Sequence, residues 1–199
     1  FLLDKVQGRY DYHNGQLDLS DVLIKALSAE VMLSGTMSKE QNLDFTMEAN
    51  NVSLERLPIM ASDLDLQGFI NLNGHLSGNL EYPLFVGEVD SDEIFVNGER
   101  LSEISGNLES NGREKNKLDI RFKQPYVNDE SNYGLFTADL NLNINEKYMQ
   151  GKVQTLWGNL GGILRMAKFD YNVDGTAQGG LVFAPNGKGS GVNLSIDAD

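Results

Sequence analysis

Apolar and polar residues alternate along most of this chain. Leu43, Phe45, Met47 and Ala49 form one apolar row, and Leu64, Leu66, Gly68, Ile70 and Leu72 a second. Leu118, Ile120 and Phe122 form a third, followed by Phe136, Ala138, Leu140, Leu142 and Ile144. A long series runs Phe169, Tyr171, Val173, Gly175, Ala177, Gly179, Leu181, Phe183, and Val192, Leu194 and Ile196 close the chain. A period of two puts every second side chain on one face of a strand, so each row predicts a strand with one apolar and one polar face. The polar face carries residues such as Asp139, Asn141, Asn143 and Asn145. These are weak strand formers, so strand pairing must hold them.

The breaks between rows point the same way. Asn-Gly occurs five times, at Asn14-Gly15, Asn73-Gly74, Asn97-Gly98, Asn111-Gly112 and Asn186-Gly187. Both residues tolerate positive φ, which a two-residue hairpin turn needs at its two central positions. The spacing predicts antiparallel strands joined by tight turns, with a hairpin tip over 111–117 and a longer loop over 124–134. Two segments depart from the period of two. Val153, Leu156, Trp157, Leu160, Ile163 and Leu164 follow helical spacing, weakened by Gly158, Gly161 and Gly162, and predict a helix that packs on the core or plugs one end of a groove. Val52 to Leu57, ended by Pro58, predicts a shorter helical turn. The stretches 52–80 and 153–187 begin about 100 residues apart and read as copies of a degenerate repeat, about 52–110 and 153–199 with their following strands. Such a repeat extends an architecture in one dimension. Residues 1–199 form a single unit in this reading.

Composition narrows the function classes. The net charge of −13 disfavours phosphate backbones and anionic bilayers, so nucleic acid is not an expected partner. The chain lacks Cys, which removes disulfides, thiolate nucleophiles and Cys-based zinc sites. No apolar run has the length of a membrane span. A start at Phe1 and a stop in mid-pattern lead us to expect a fragment of a longer protein. His13 and His75 are the only histidines, and neither has a partner at metal or triad spacing. Glu88, Asp90, Asp92 and Glu93 offer oxygens for calcium but lack the loop patterns that bind it, so a solvated face is the expectation. Asn51-Val52-Ser53 and Asn193-Leu194-Ser195 match the glycosylation sequon, which has meaning only in a eukaryotic secretory pathway. No motif for catalysis, metal or cofactor stands out, and an enzyme is the weakest expectation.

The apolar rows carry more. Gly68, Ala138, Gly175, Ala177 and Gly179 stand where a filled core would want volume. Small residues inside strands mark a curved sheet or the close approach of a ligand. The segment Leu76-Ser-Gly-Asn-Leu-Glu-Tyr-Pro-Leu-Phe-Val-Gly-Glu-Val89 resembles a recurring element of the TamB family of AsmA-like proteins. Val52-Ser-Leu-Glu-Arg-Leu resembles the short helical element that precedes it, and Ile94-Phe-Val-Asn-Gly and Ile104-Ser-Gly-Asn-Leu-Glu resemble the strands that follow. A second copy starts at Val153-Gln-Thr-Leu-Trp-Gly-Asn-Leu and continues through Tyr171-Asn-Val-Asp-Gly and Gly180-Leu-Val-Phe-Ala-Pro, with a different Pro-Gly spacing.

The resemblance implies an all-β fold: an elongated, curved antiparallel sheet bent into a taco-shaped apolar trough with one or two short helical segments. It implies a periplasmic protein of a diderm bacterium, anchored in the inner membrane. Such proteins carry phospholipid towards the outer membrane and are linked to autotransporter assembly with an Omp85-type barrel. No catalytic residues, metal or cofactor come with the family. The expected lining is Phe45, Met47, Leu66, Ile70, Leu72, Ile120, Phe122, Leu140, Leu142, Ile144, Phe169, Val173, Phe183 and Leu194, in contact with phospholipid acyl chains. About 13 strands would give a segment roughly 60 Å long. The rival readings are an adhesive β-solenoid surface protein and a scaffold that guides outer-membrane strands by edge pairing.

Overall fold

The computed structural model describes residues 4–26, 28–56, 65–111, 115–126, 129–143, 148–166, 168, 175–186 and 189–198. Twelve antiparallel strands pair in chain order: β1 (Lys5–His13), β2 (Gln16–Ala26), β3 (Ala29–Met37), β4 (Asn42–Ser53), β5 (Leu66–Asn79), β6 (Tyr82–Val96), β7 (Glu99–Ser110), β8 (Asn116–Tyr126), β9 (Asp129–Asn143), β10 (Tyr148–Asn159), β11 (Thr176–Asn186) and β12 (Gly189–Ala198). A helix, α1 (Leu160–Met166), follows β10, and a 3-10 turn (Leu54–Arg56) follows β4. Every strand pairs only with its sequence neighbours, so the sheet is a single open meander. Among the described residues no helix is long and apolar enough to cross a membrane.

Tight turns and apolar rows account for the order of the strands. Asn14-Gly15 joins β1 to β2 with φ of 51° and 87°, and Asn97-Gly98 joins β6 to β7 with 50° and 82°. Both are two-residue hairpins with positive φ at each central residue. The Asn73-Gly74 pair differs from expectation. Asn73-Gly74 lies inside β5, where Gly74 pairs with Met47 on one side and Gly87 on the other. A β-carbon on Gly74 would stand 2.6 Å from the Gly87 Cα, beneath the Phe85 ring. This glycine therefore serves close strand approach, with an aromatic ring covering the slot. Asn186 is the last paired residue of β11, opposite Gly189. Asn111 follows the last residue of β7, and its side-chain oxygen accepts the Lys115 amide at 2.9 Å; Gly112 and Gly187 lie outside the described residues. The 124–134 segment is not a loop: β8 runs to Tyr126 and β9 starts at Asp129. Pro125 fits because β8 pairs with β7 only as far as Lys123, leaving no β7 carbonyl for its missing amide.

A line of bulges crosses the middle of the sheet. Register shifts occur at Ala49/Val52, Gly68/Asn71, Ser102/Ser105 and Thr155/Gly158. Asn51 (φ 56°), Gly68 (φ 115°) and Glu103 (φ 48°) adopt the left-handed backbone there. Bulges add twist and bend the strands that carry them. Two buried hydroxyls satisfy carbonyls along this line in the same way. Ser91 Oγ reaches Phe69 O (2.7 Å) and Glu93 O (3.1 Å), and Thr155 Oγ1 reaches Leu135 O and Trp157 O, both at 2.8 Å. In each case the second acceptor lies two residues on and the first lies on the preceding strand. Phe45, Ala49, Phe85 and Val89 are buried although, among the described residues, no second sheet packs on them. Curvature of the sheet towards this face brings such residues together.

The helical spacing of 153–164 is realised only in part. Val153 to Trp157 belong to β10, and α1 begins at Leu160. The pairing of β10 with β9 and β11 overrides the local period, and the glycines weaken the helix it would otherwise favour. Asn159 caps α1, its side-chain oxygen accepting the Gly162 amide at 2.7 Å. The shorter segment, expected to be helical from Val52 to Leu57, is strand to Ser53 and a single 3-10 turn after it.

Candidate binding surface

Residues directly opposite one another in an antiparallel sheet share a face. Following these partners across the strands assembles one surface from the apolar rows. Met47 lies opposite Leu33, Phe45 opposite Leu76, and Leu76 opposite Phe85. Ile70 lies opposite Val52, Leu72 between Ala49 and Val89, and Leu66 opposite Val96. Ile120 lies between Gly106 and Ala138, and Phe122 opposite Phe136. Leu140 lies between Leu118 and Gly151, and Leu142 opposite Met149. Phe183 and Leu194 hold register positions in line with them, opposite Gly151 and Leu181. Of the expected lining, Ile144, Phe169 and Val173 lie outside the described residues. Phe45 and Phe122 are buried; Met47, Leu66, Ile70, Leu72, Ile120, Leu140 and Leu142 are half-buried.

The helix divides this surface. Ile163 of α1 enters a cluster with Leu101, Ile104, Phe122, Phe136, Ala138 and Ala177, against which Ile120, Leu140 and Val153 also pack. The Phe122 and Phe136 rings stack with centroids 5.1 Å apart. Ala138 and Ala177 are buried in the same cluster as Ile163. Gly158 makes room for that packing, since a β-carbon there would meet the Phe136 ring and stand 3.1 Å from Ile163. Over this half the chain fills its own apolar face, whereas Gly68 marks a bulge. Two polar contacts tie α1 to the β6–β7 turn: Asn97 Nδ2 donates to Met166 O at 2.8 Å, and Arg165 pairs with Glu99. Gln124, almost wholly buried nearby, has an Oε1 that meets no donor among the described residues.

The other face is mostly polar, with scattered exposed residues such as Met32 and Val86 and an apolar island that alternation did not reveal. Trp157 lies opposite Leu135 and is about half exposed, with Tyr133 beside it. The indole Nε1 donates to Tyr133 O at 3.0 Å, and Lys123 Nζ stands 4.2 Å over the Tyr133 ring. The hydrogen bond to Glu103 raises the Lys123 pKa above its ordinary value, against a smaller desolvation effect. Helical spacing assigned Trp157 to the core side; its strand register turns it outward. The acidic group of β6 is dispersed. Asp90 accepts the Asn71 amide at 2.9 Å and Glu93 pairs with Arg100. His13, expected to stand without ligand partners, faces both Asp11 and Asp18. Sequence spacing hid this because Asp18 comes from the neighbouring strand.

Comparison with known proteins finds no matching family profile, no matching curated protein and no matching solved structure.

Proposed function

We propose that this chain is a lipid-binding segment of a TamB-like periplasmic protein, and that its apolar face is a trough along which phospholipid moves between the inner and outer membranes. The carrying observation is the apolar row that continues from strand to strand on one face, with no second sheet packed on it among the described residues. An ordinary sandwich would close such a face with an opposing layer. Here the part of the face outside the α1 cluster has half-buried Met47, Leu66, Ile70 and Leu72. Each methylene of an acyl chain transferred from water to such a surface contributes about 0.8 kcal/mol. A uniform apolar lining holds tails without fixing the headgroup, so a lipid can slide. Twelve strands at about 4.8 Å spacing extend the surface roughly 50 Å. In this reading the parent protein is anchored in the inner membrane, an Omp85-type barrel is its outer-membrane partner, and no residue acts as a catalyst.

Lipid extraction and mass spectrometry of the purified chain test the proposal. Phospholipid well above that recovered from a globular control is the expected result; control-level lipid overturns it. Leu142→Asp should abolish lipid recovery while the β-sheet circular dichroism persists, because a carboxylate in an apolar trough is costly to desolvate.

The rival β-solenoid reading requires parallel coils and does not fit an antiparallel meander. The edge-pairing scaffold keeps one supporting observation. β1 pairs only with β2, and all nine of its residues are exposed. Crosslinking from Tyr12 to an outer-membrane client strand, in a preparation free of lipid, would favour that scaffold.

A further inference from the structure

The β1–β2 hairpin carries a cluster of metal-ligating side chains that the lipid reading does not use. Asp11 and His13 are two residues apart on β1, and Asp18 is the cross-strand partner of Asp11. All three therefore project from one face, the polar one. His13 Nδ1 lies 3.3 Å from Asp11 Oδ2 and 3.4 Å from Asp18 Oδ2. Metal–ligand bonds of about 2.0–2.1 Å in a tetrahedral shell place ligand atoms about 3.3–3.4 Å apart. The imidazole nitrogen already stands at that spacing from both carboxylates. A single proton on Nδ1 points along one of the two lines, whereas a cation between the three atoms serves both and offsets the repulsion between the carboxylates.

The supporting geometry favours the same position. Gln16, opposite His13, donates from Nε2 to Asp18 Oδ1 at 2.8 Å, leaving Oδ2 turned to the imidazole. Orienting a carboxylate through its second oxygen is how outer partners hold metal ligands in place. The Asn14-Gly15 turn, with φ of 51° and 87°, holds the two strands at tight separation. His75 provides an internal contrast: its Nε2 has one carboxylate, Asp44, at 3.3 Å.

We propose that Asp11, His13 and Asp18 form a three-ligand site for a divalent transition-metal ion of the zinc class, with water completing the shell. One imidazole and two carboxylates suit zinc, cobalt, nickel or copper better than calcium, which takes six to eight oxygens. The ion ties β1 to β2, so its role is a structural clip. The site lies on the polar face and its fate is independent of the lipid proposal.

Calorimetric titration of the whole chain with zinc chloride at neutral pH tests the site, with copper(II) electron paramagnetic resonance on the same variants. One zinc per chain is expected. His13→Ala should weaken binding at least about tenfold, and Asp11→Asn and Asp18→Asn should each weaken it less. His75→Ala should leave it unchanged, and the copper spectrum should show coupling to one nitrogen that disappears with His13. Zinc should also slow amide exchange in β1. Equal affinity in wild type and His13→Ala, equal loss in His75→Ala, or no saturable binding would overturn the site. Binding without slower exchange in β1 would overturn the clip.

Discussion

The same alternating pattern produces two different surfaces in this molecule. Across β1–β5 the apolar face runs from the exposed Val6, Tyr10 and Tyr12 through the half-buried Met47, Ile70 and Leu72, with Val22, Leu43, Phe45 and Ala49 buried among them. Across β7–β10, α1 lies over that face and Leu101, Ile104, Phe122, Phe136 and Ala138 are all buried. The strands are alike in pairing and in sequence period. Among the described residues, a seven-residue helix packs on the second face and no helix of that kind on the first. A helix of that length is not stable alone in water, so burial of Ile163 and its ties to β7 must hold it.

The largest effect that would sharpen this contrast is a matched pair of truncations. Phe136→Ala removes a ring stacked in the covered cluster and should cost about 3–5 kcal/mol. Ile70→Ala removes a side chain that is already half-exposed and should cost about 1–2 kcal/mol. Urea unfolding of the two variants measures both. Equal losses would mean that the two halves are packed alike, and the idea of an open half would fail.

A second pair separates two uses of the same dipeptide. Gly98 sits in a turn at φ 82°, and a β-carbon there would meet nothing within 4 Å. Gly98→Ala should cost about 1–2 kcal/mol from left-handed backbone alone. Gly74 has no positive φ, but its β-carbon would press on the Gly87 backbone and the Phe85 ring. Gly74→Ala should cost at the upper end of about 1–3 kcal/mol and disturb the β5–β6 pairing. Thermal unfolding ranks the pair, and a larger loss at Gly98 would contradict the close-approach reading.

That contrast also explains what the sequence disclosed. Alternation assigned Phe45, Leu72, Ile120 and Leu140 to one face, because a period of two survives any pairing partner. Asn14-Gly15 and Asn97-Gly98 announced their hairpins for an equally local reason, the φ that the turn requires. Asn73-Gly74 misled because close strand approach and a tight turn select the same residue. Trp157 misled because its strand partners, not its neighbours in sequence, decide its direction. The bulges at Glu103 and Thr155, the packing of Ile163 into the cluster with Leu101 and Phe136, and the meeting of His13 with Asp18 all depend on residues distant in sequence. No local pattern encodes them.

The smallest expected effect bears most directly on how the two halves are related. Glu99 on β7 pairs with Arg165 in the last turn of α1, with the carboxylate mostly buried and the guanidinium about one-third exposed. Glu99→Gln keeps the volume and removes the charge. Because Arg165 retains access to solvent, the global loss should be only about 0.5–1 kcal/mol. The local consequence should be larger than that figure suggests, because a helix this short opens as a unit. Amide exchange in α1 should quicken while exchange in β8 and β9 stays near the wild-type rate. If α1 is what closes this half, the variant should also recover more phospholipid than wild type, as Phe122, Ile120 and Leu140 join the open surface. Faster exchange in α1 with unchanged lipid recovery would restrict lipid to the β1–β5 half. Unchanged exchange would show that the apolar packing of Ile163 and the Asn97–Met166 hydrogen bond keep the helix closed without the ion pair.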